Sequence, residues 1–475
     1  MNIQFFGAAH EVTGSKHLIT TKSGKKILLD CGMFQGKGLE TDAMNRNLGF
    51  NAREIDHVIL SHAHIDHSGL IPYLYKKGFR GSVICTPATR DLCALMLLDS
   101  AHIQELDAKY FNEKQERKHL RQTVSPIYTA EHAQKCMSLF ITVAYDRRFY
   151  IDGNISVKFF NSGHMLGGSI VCLDVKEDGH KTRVTYTGDI GRPNNHILCP
   201  PQPFLQTDYL ICESTYGDRL HPEQQSTEDQ LLETVMDTCI KRKGKLIIPS
   251  FSIGRTQEIV YVLNNLYIEG RLPQIPIYVD SPLSVNATEV FRMYTDDMNE
   301  DVRELMHTDP DPFGFNTLHY VSRASESKRL NSSSEPAIII SASGMLEAGR
   351  VKHHVANHIE DPSTTILIVG YCTPSSLGAR IQEPGLKEIS IFGVMHPVRA
   401  QIKKLEGFSG HGDYREMIDY ITRYQDPERV QQVIIVHGEE NAQIAYKQHL
   451  EDAGFKNIAI PAKGEVIELP NPNAV

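Results

Sequence analysis

A chain of 475 residues, 41% hydrophobic and 23% charged, carries apolar material for about two or three buried cores, and its apolar runs stay well short of the roughly 20 residues of a membrane span. The formal net charge of −9 argues against a generally basic nucleic-acid-binding coat while leaving room for a local positive groove. The nine cysteines are scattered, odd in number and without a Cys-x-x-Cys pair, and Met1-Asn-Ile-Gln-Phe-Phe-Gly7 lacks a basic leader, so reduced thiols in the cytoplasm are expected.

Residues 1 to 70 alternate short apolar runs with glycine-containing turns, which predicts strands at Ile3 to Gly7, His17 to Thr21, Ile27 to Cys31 and Val58 to Leu60. Asp30 sits near the end of the third, where a carboxylate either orients a ligand histidine or caps a turn. After the fourth comes Ser61-His-Ala-His-Ile-Asp-His67, which delivers four metal-capable side chains to one strand end. His62 and His64 lie two apart and face the same way in an extended segment; Asp66 and His67 follow at the turn toward a helix. Placing so many polar groups beside a core is costly without a partner, and a mixed imidazole and carboxylate set suits zinc in an open, catalytic site.

Residues 88 to 150 read mainly as helix, with Glu113 to Arg121 as a charged, solvated face. Strands resume at Ile155 to Phe160, Ser169 to Val175 and Arg183 to Thr187. His164, in Ser162-Gly-His-Met-Leu-Gly-Gly168, and Asp189, in Thr187-Gly-Asp-Ile-Gly191, occupy glycine-flanked loops that can aim a side chain inward from a strand end. Each taken alone is equally a turn residue.

Taken together, His62-Ala-His-Ile-Asp-His67, His164 and Asp189 resemble the metallo-β-lactamase superfamily. The resemblance implies an αββα sandwich with two zinc ions at one edge of its sheets. His62, His64 and His164 would hold the first ion, Asp66 and His67 the second, with Asp189 between them and His437, in Val433-Ile-Ile-Val-His-Gly-Glu439, as the late ligand. His437 lies 248 positions after Asp189, which leaves room for an inserted domain. Ile211-Cys-Glu-Ser-Thr-Tyr-Gly217 and Phe408-Ser-Gly-His-Gly-Asp-Tyr414 look like the signature motifs of the β-CASP branch, the nucleic-acid-processing nucleases, with Glu213, His411 and His437 as the motif residues. The expected division is a sandwich from 1–213 and 398–475 around an inserted β-CASP domain at 214–397.

The insert itself alternates strand and helix, which predicts an α/β domain with a largely parallel sheet built on Lys245 to Pro249, Ile277 to Val279, Ala337 to Ser341 and Thr365 to Val369. Its strand-to-helix turns are either plain doubly wound construction or phosphate cradles, and Arg255, Ser343 and Ser409 are the expected substrate contacts.

The resemblance implies a zinc-dependent ribonuclease acting on single-stranded RNA in processing or decay. Two zincs would activate a water that Asp66 orients, and His411, held by Glu213, would be the general acid. His437 at the third motif favours RNA over DNA. With no N-terminal extension that reads as a KH domain, RNA grip is expected from the insert or from a second subunit in a homodimer, and endonuclease action is favoured over exonuclease action. A small-molecule hydrolase of thioesters or lactams would use the same zincs but needs neither the insert nor Glu213 and His411. A catalytically inactive family member would have lost ligands, and all seven are present.

Overall fold

The computed structural model describes residues 1–36, 39–117, 123–221, 226–373 and 375–471. The chain folds as two compact units, one of Met1–Asn195, Cys199–Leu220 and His411–Val475, the other of His196–Leu198 and His221–Gly410.

The first unit contains two seven-stranded sheets. In one, Asn2–Gly7, Lys16–Thr20, Lys26–Leu29, His57–Ile59, Ser82–Cys85 and Phe140–Thr142 lie side by side in chain order, with Val466–Glu468 added beyond Asn2–Gly7. In the other, Arg148–Tyr150, Ile155–Asn161, Ser169–Glu177, His180–Tyr186, Tyr209–Cys212, Gln432–Ile435 and Ile458–Ala459 follow one another. Strand alternation sends one set of side chains inward, and Ile3, Phe5, Ile27, Leu29, Ile59 and Ile84 pack there with Val157, Phe159, Val171, Leu173, Val184 and Ile434 in a single core. The alternate residues Leu28, Val58, Val83 and Cys85 are buried as well, which a sheet covered on both faces requires. Helices Tyr414–Tyr424 and Glu440–Asp452 supply the cover on the second sheet, where Met417, Ile421, Tyr446 and Leu450 pack on Leu210, Cys212, Val433 and Ile435. This is the αββα sandwich.

Between 88 and 150 the chain is less helical than its sequence reads. The long helix Pro87–Arg117 is followed by Ala130–Cys136, and then by strands Phe140–Thr142 and Arg148–Tyr150. Both are short, half-exposed edge strands, so neither carries the apolar run that marks a buried strand. In the charged run, Glu113, Lys114, Glu116 and Arg117 are exposed, and Lys118 to Arg121 lie outside the described residues.

The second unit is built on a six-stranded sheet in the order Leu318–Tyr320, Ile277–Val279, Ala337–Ser341, Lys245–Pro249, Thr365–Ile368, Gln401–Lys404, and every pairing is parallel. Its central strands are continuous apolar runs such as Leu246-Ile-Ile248 and Ile338-Ile-Ile340, as burial on both faces demands. The unit continues to Gly410, past the boundary at 397 read from sequence, because Gln401–Lys404 pairs with Thr365–Ile368. That strand and Leu318–Tyr320 are partly exposed edges whose polar residues hide them in the sequence. Among the described residues no helix is long and apolar enough to cross a membrane.

Candidate active site

Strand ends of the first unit bring the sequence-selected ligands together. His62 and His64 follow His57–Ile59, His164 lies between Ile155–Asn161 and Ser169–Glu177, and Asp189 follows His180–Tyr186. His64 Nδ1 is 3.2 Å from His62 Nε2 and 3.1 Å from His164 Nε2, while Asp189 Oδ2 is 3.4 Å from each of those two Nε2 atoms. Ligand nitrogens about 2.0–2.1 Å from a tetrahedral zinc stand about 3.3 Å apart, so this is the spacing a single ion imposes.

A second group faces the first. His67 Nε2 and His437 Nε2 are 3.0 Å apart, and Asp66 Oδ2 lies 3.6 Å from His437 Nε2. Asp189 serves both groups: its Oδ1 is 3.3 Å from His67 Nε2 and 3.6 Å from His437 Nδ1. That Oδ1 is buried and has no hydrogen-bond partner, although it belongs to an anion enclosed by protein. Imidazole nitrogens turned toward one another, around a carboxylate oxygen left orphaned, form a donor set that suits a metal ion.

The far sides of the rings are pinned. Asp30 Oδ2 accepts from His67 Nδ1 at 2.7 Å, so Nε2 is left as the ligand atom. Asp30 also accepts from the Ser61 amide at 2.7 Å, the Ser61 hydroxyl at 2.8 Å and the Tyr186 hydroxyl at 2.8 Å. Ser61 Oγ is 3.0 Å from His62 Nδ1, and Thr215 Oγ1 is 3.1 Å from His437 Nδ1. Of the two roles open to Asp30 in the sequence, the structure gives it the orienting one. Ser61, Tyr186 and Thr215 were not picked out by sequence reasoning, since hydroxyls on strand ends carry no spacing signal.

His411 stands beside the ligands without joining either group. Its Nδ1 is 3.0 Å from Glu213 Oε2, and its Nε2 is 3.9 Å from Asp189 Oδ2. Glu213 is fully buried and fixed by the Ile190 amide at 2.5 Å and the Thr215 amide at 3.4 Å.

Protonation follows from these contacts. Burial holds His64 down to about 3 and lowers His62 and His164 too, leaving neutral rings with lone pairs to donate. Burial also opposes ionisation of Asp66 and Asp189, but the surrounding histidines outweigh it and keep both carboxyls below the usual range. For His411, burial pulls the pKa down and the charge and hydrogen bond of Glu213 pull it up more strongly, to about 9.

The three expected substrate contacts lie in the second unit and have partners there. The Arg255 guanidinium pairs with Glu258 one turn along the same helix, so its charge is compensated. Ser343 Oγ accepts from the amides of Glu347 and Ala348 at 3.2 and 3.3 Å, and the Ser409 amide donates to the Glu406 carbonyl at 3.2 Å.

Two glycines let the ligand loops approach one another. A Cβ on Gly32 would fall 1.6 Å from the Asp66 carbonyl oxygen, and one on Gly191 would fall 1.9 Å from that of Gly163. Gly32→Ala is therefore expected to displace the turn that carries Asp66 and His67, lowering both metal content and melting temperature; a variant with wild-type metal content would refute this. Asp30→Ala should weaken metal binding by about 10- to 100-fold in competition with a chelating dye, because His67 loses its orienting partner. An unchanged affinity would rule out that role.

Comparison with known proteins gives the family. Residues 14–117 match the family model described as the metallo-beta-lactamase superfamily, residues 256–381 the Beta-Casp domain, and residues 395–461 the Zn-dependent metallo-hydrolase RNA specificity domain. A Thermus thermophilus protein named Ribonuclease TTHA0252 is 33% identical over 99% of this chain and 100% of its own length. An RNase J-like protein of Methanocaldococcus jannaschii is 32% identical over 98% of this chain and 99% of its own. The transcription termination factor FttA of the same organism is 32% identical over 99% of this chain and 72% of its own. On the sandwich, the clustered histidines and aspartates and these matches, the chain belongs to the β-CASP branch of the metallo-β-lactamase superfamily.

Proposed function

We propose that the chain is a ribonuclease that hydrolyses phosphodiester bonds of single-stranded RNA, with two zinc ions per chain. The observation that carries the reading is His411, paired with a fully buried Glu213 and set beside the ligand cluster without belonging to it. His62, His64 and His164 would hold one ion and Asp66, His67 and His437 the other, with Asp189 shared. Bound there, zinc supplies Lewis-acid stabilisation of phosphoryl oxygens and lowers the pKa of water to about 7.

The chain's own residues supply the rest. Asp66 is ionised and partly exposed, so one oxygen can orient an attacking water and take its proton. As the new P–O bond forms and the old one breaks, the departing ribose oxygen needs a proton. His411 Nε2 can donate it, because Glu213 holds Nδ1 and favours the imidazolium. A lactam or thioester hydrolase has no need of this pair. The names of the relatives support RNA as the substrate, and we take the mode to be endonucleolytic.

Zinc-loaded protein should cut a circular single-stranded RNA and lose that activity to a chelator, while leaving a chromogenic lactam intact. Lactam hydrolysis without RNA cleavage would overturn the reading, and cleavage confined to linear RNA would overturn the endonucleolytic mode. His411→Ala should keep its zinc and lose about 10²- to 10⁴-fold in kcat. If metal were lost in step with activity, His411 would be a ligand instead.

The pH profile tests the same role. An acid must be protonated to act, so kcat should fall as pH rises through the pKa of His411. Glu213 raises that pKa from the ordinary 6.5 toward about 9, and cations bound by Asp189 and Asp66 would cancel part of the pull. The alkaline limb is thus expected between those values and absent from His411→Ala. An identical limb in the variant would assign it to another group.

A further inference from the structure

Strands Glu388–Ile391 and Val394–Pro397 of the second unit form a hairpin apart from the six-stranded sheet. Ile391 pairs with Val394, leaving the two-residue turn Phe392-Gly393, and both of its residues are left-handed, with φ of 53° and 80°. Asn or Gly normally opens such a turn, because a bulky side chain meets steric resistance at positive φ. Here the position holds a phenylalanine that is 54% exposed, and Val394 and Met395 beside it are each 57% exposed. Buried Ile389 and Ile391 anchor the hairpin in the unit's core, so the tip is presented on a fixed base.

An unfavourable backbone conformation that leaves its side chain half in solvent brings little burial in return. The ring is nevertheless held in place. His353 stacks on it at 4.6 Å between centroids and 29° between planes, and Lys352 Nζ lies 5.2 Å from its centroid. The strongest charges felt by His353 are basic, from His354, Lys328 and Lys352, and they add to burial in lowering its pKa. The hairpin's own acid, Glu388, sits at its open end opposite Pro397, where Glu360 from outside the hairpin bonds His396 at 2.9 Å. The tip thus joins an oriented, exposed aromatic ring to lysines, on a chain of net charge −9.

We propose that this tip is an accessory binding site for single-stranded RNA, with a nucleobase stacked on Phe392 and flanking phosphates held by Lys352 and Lys328. The ligand's identity rests on the ribonuclease reading; the site does not depend on the metal centre. An aromatic face stacks any base, and each lysine–phosphate contact releases counterions. Self-association through the same patch would set Lys328 and Lys352 of one copy against those of the other, a like-charge contact, so charge favours a polyanion.

The test measures anisotropy of a fluorescein-labelled phosphorothioate oligouridylate bound to zinc-loaded protein, alongside cleavage of the all-phosphate RNA. Phe392→Ser should raise Kd by about tenfold and Phe392→Tyr should keep wild-type affinity, since stacking needs a ring. Lys352→Ala should raise Kd and shrink the slope of log Kd against log salt by about 0.7. These residues are at the surface, and an unchanged melting temperature would verify that the fold is intact. Wild-type affinity in Phe392→Ser overturns the proposal, as does a dimer-to-monomer change in sedimentation with Kd unaltered, which would identify a second copy as the occupant. Wild-type protein that binds the oligomer but cuts no RNA would refute the ribonuclease reading alone, and the Phe392 variants would still decide the platform.

Discussion

The carboxylate of Asp189, enclosed between two sets of imidazoles with one oxygen unpartnered, is the interaction on which the first unit depends. Burying a carboxylate costs several kcal/mol unless opposite charge offsets it, and the neutral imidazole nitrogens of His62, His64 and His164, 3.1–3.2 Å apart, repel through their lone pairs. Metal bound at this cluster would relieve both penalties. The sandwich accommodates this arrangement because its ligands sit on turns at the ends of strands from both sheets, where backbone need not continue a ladder. Metal bound at this edge would therefore couple to folding.

Around that carboxylate, the outer partners select which ring nitrogen faces inward. Asp30 holds His67, Ser61 holds His62, and Thr215 holds His437. Asp30 does more than orient one ring, since it also accepts from the Ser61 amide and hydroxyl and from Tyr186. A single buried carboxylate thus ties the turn carrying the first ligands to a strand of the opposite sheet. Its left-handed backbone, φ 59°, is the local cost of turning the chain there.

The convergence of ligands was legible because polar residues rarely crowd a strand end by chance, and His62, His64, Asp66 and His67 fall within six residues. The parallel sheet of the insert was legible because strands buried on both faces must be apolar throughout. What stayed hidden shares a physical cause. Edge strands Phe140–Thr142, Arg148–Tyr150, Leu318–Tyr320 and Gln401–Lys404 are half-solvated and carry mixed sequences. The pairing of Arg255, an expected substrate contact, with Glu258 stayed hidden because it depends on which way a helix face turns, which spacing alone leaves open. The hairpin around Phe392 went unseen because its turn lacks the Asn-Gly signature that normally announces one.

Glu213 and His411 join the chemistry of the site to the chain's topology. They are 198 positions apart in sequence and 3.0 Å apart in space, and they flank the second unit's main segment, which begins at His221 and ends at Gly410. An insertion of that size fits a sandwich only if the points of exit and return are neighbours, or the host strands would be pulled out of register. Tyr209–Cys212, just before the exit, and Gln432–Ile435, after the return, are adjacent parallel strands, and the Ser214 amide bonds the His437 carbonyl at 3.2 Å. The closure that makes the insertion tolerable also brings a buried carboxylate against a histidine beside the ligand cluster. A sandwich without the inserted segment would need no such closure, and His411 is the first residue that the first unit regains on the chain's return.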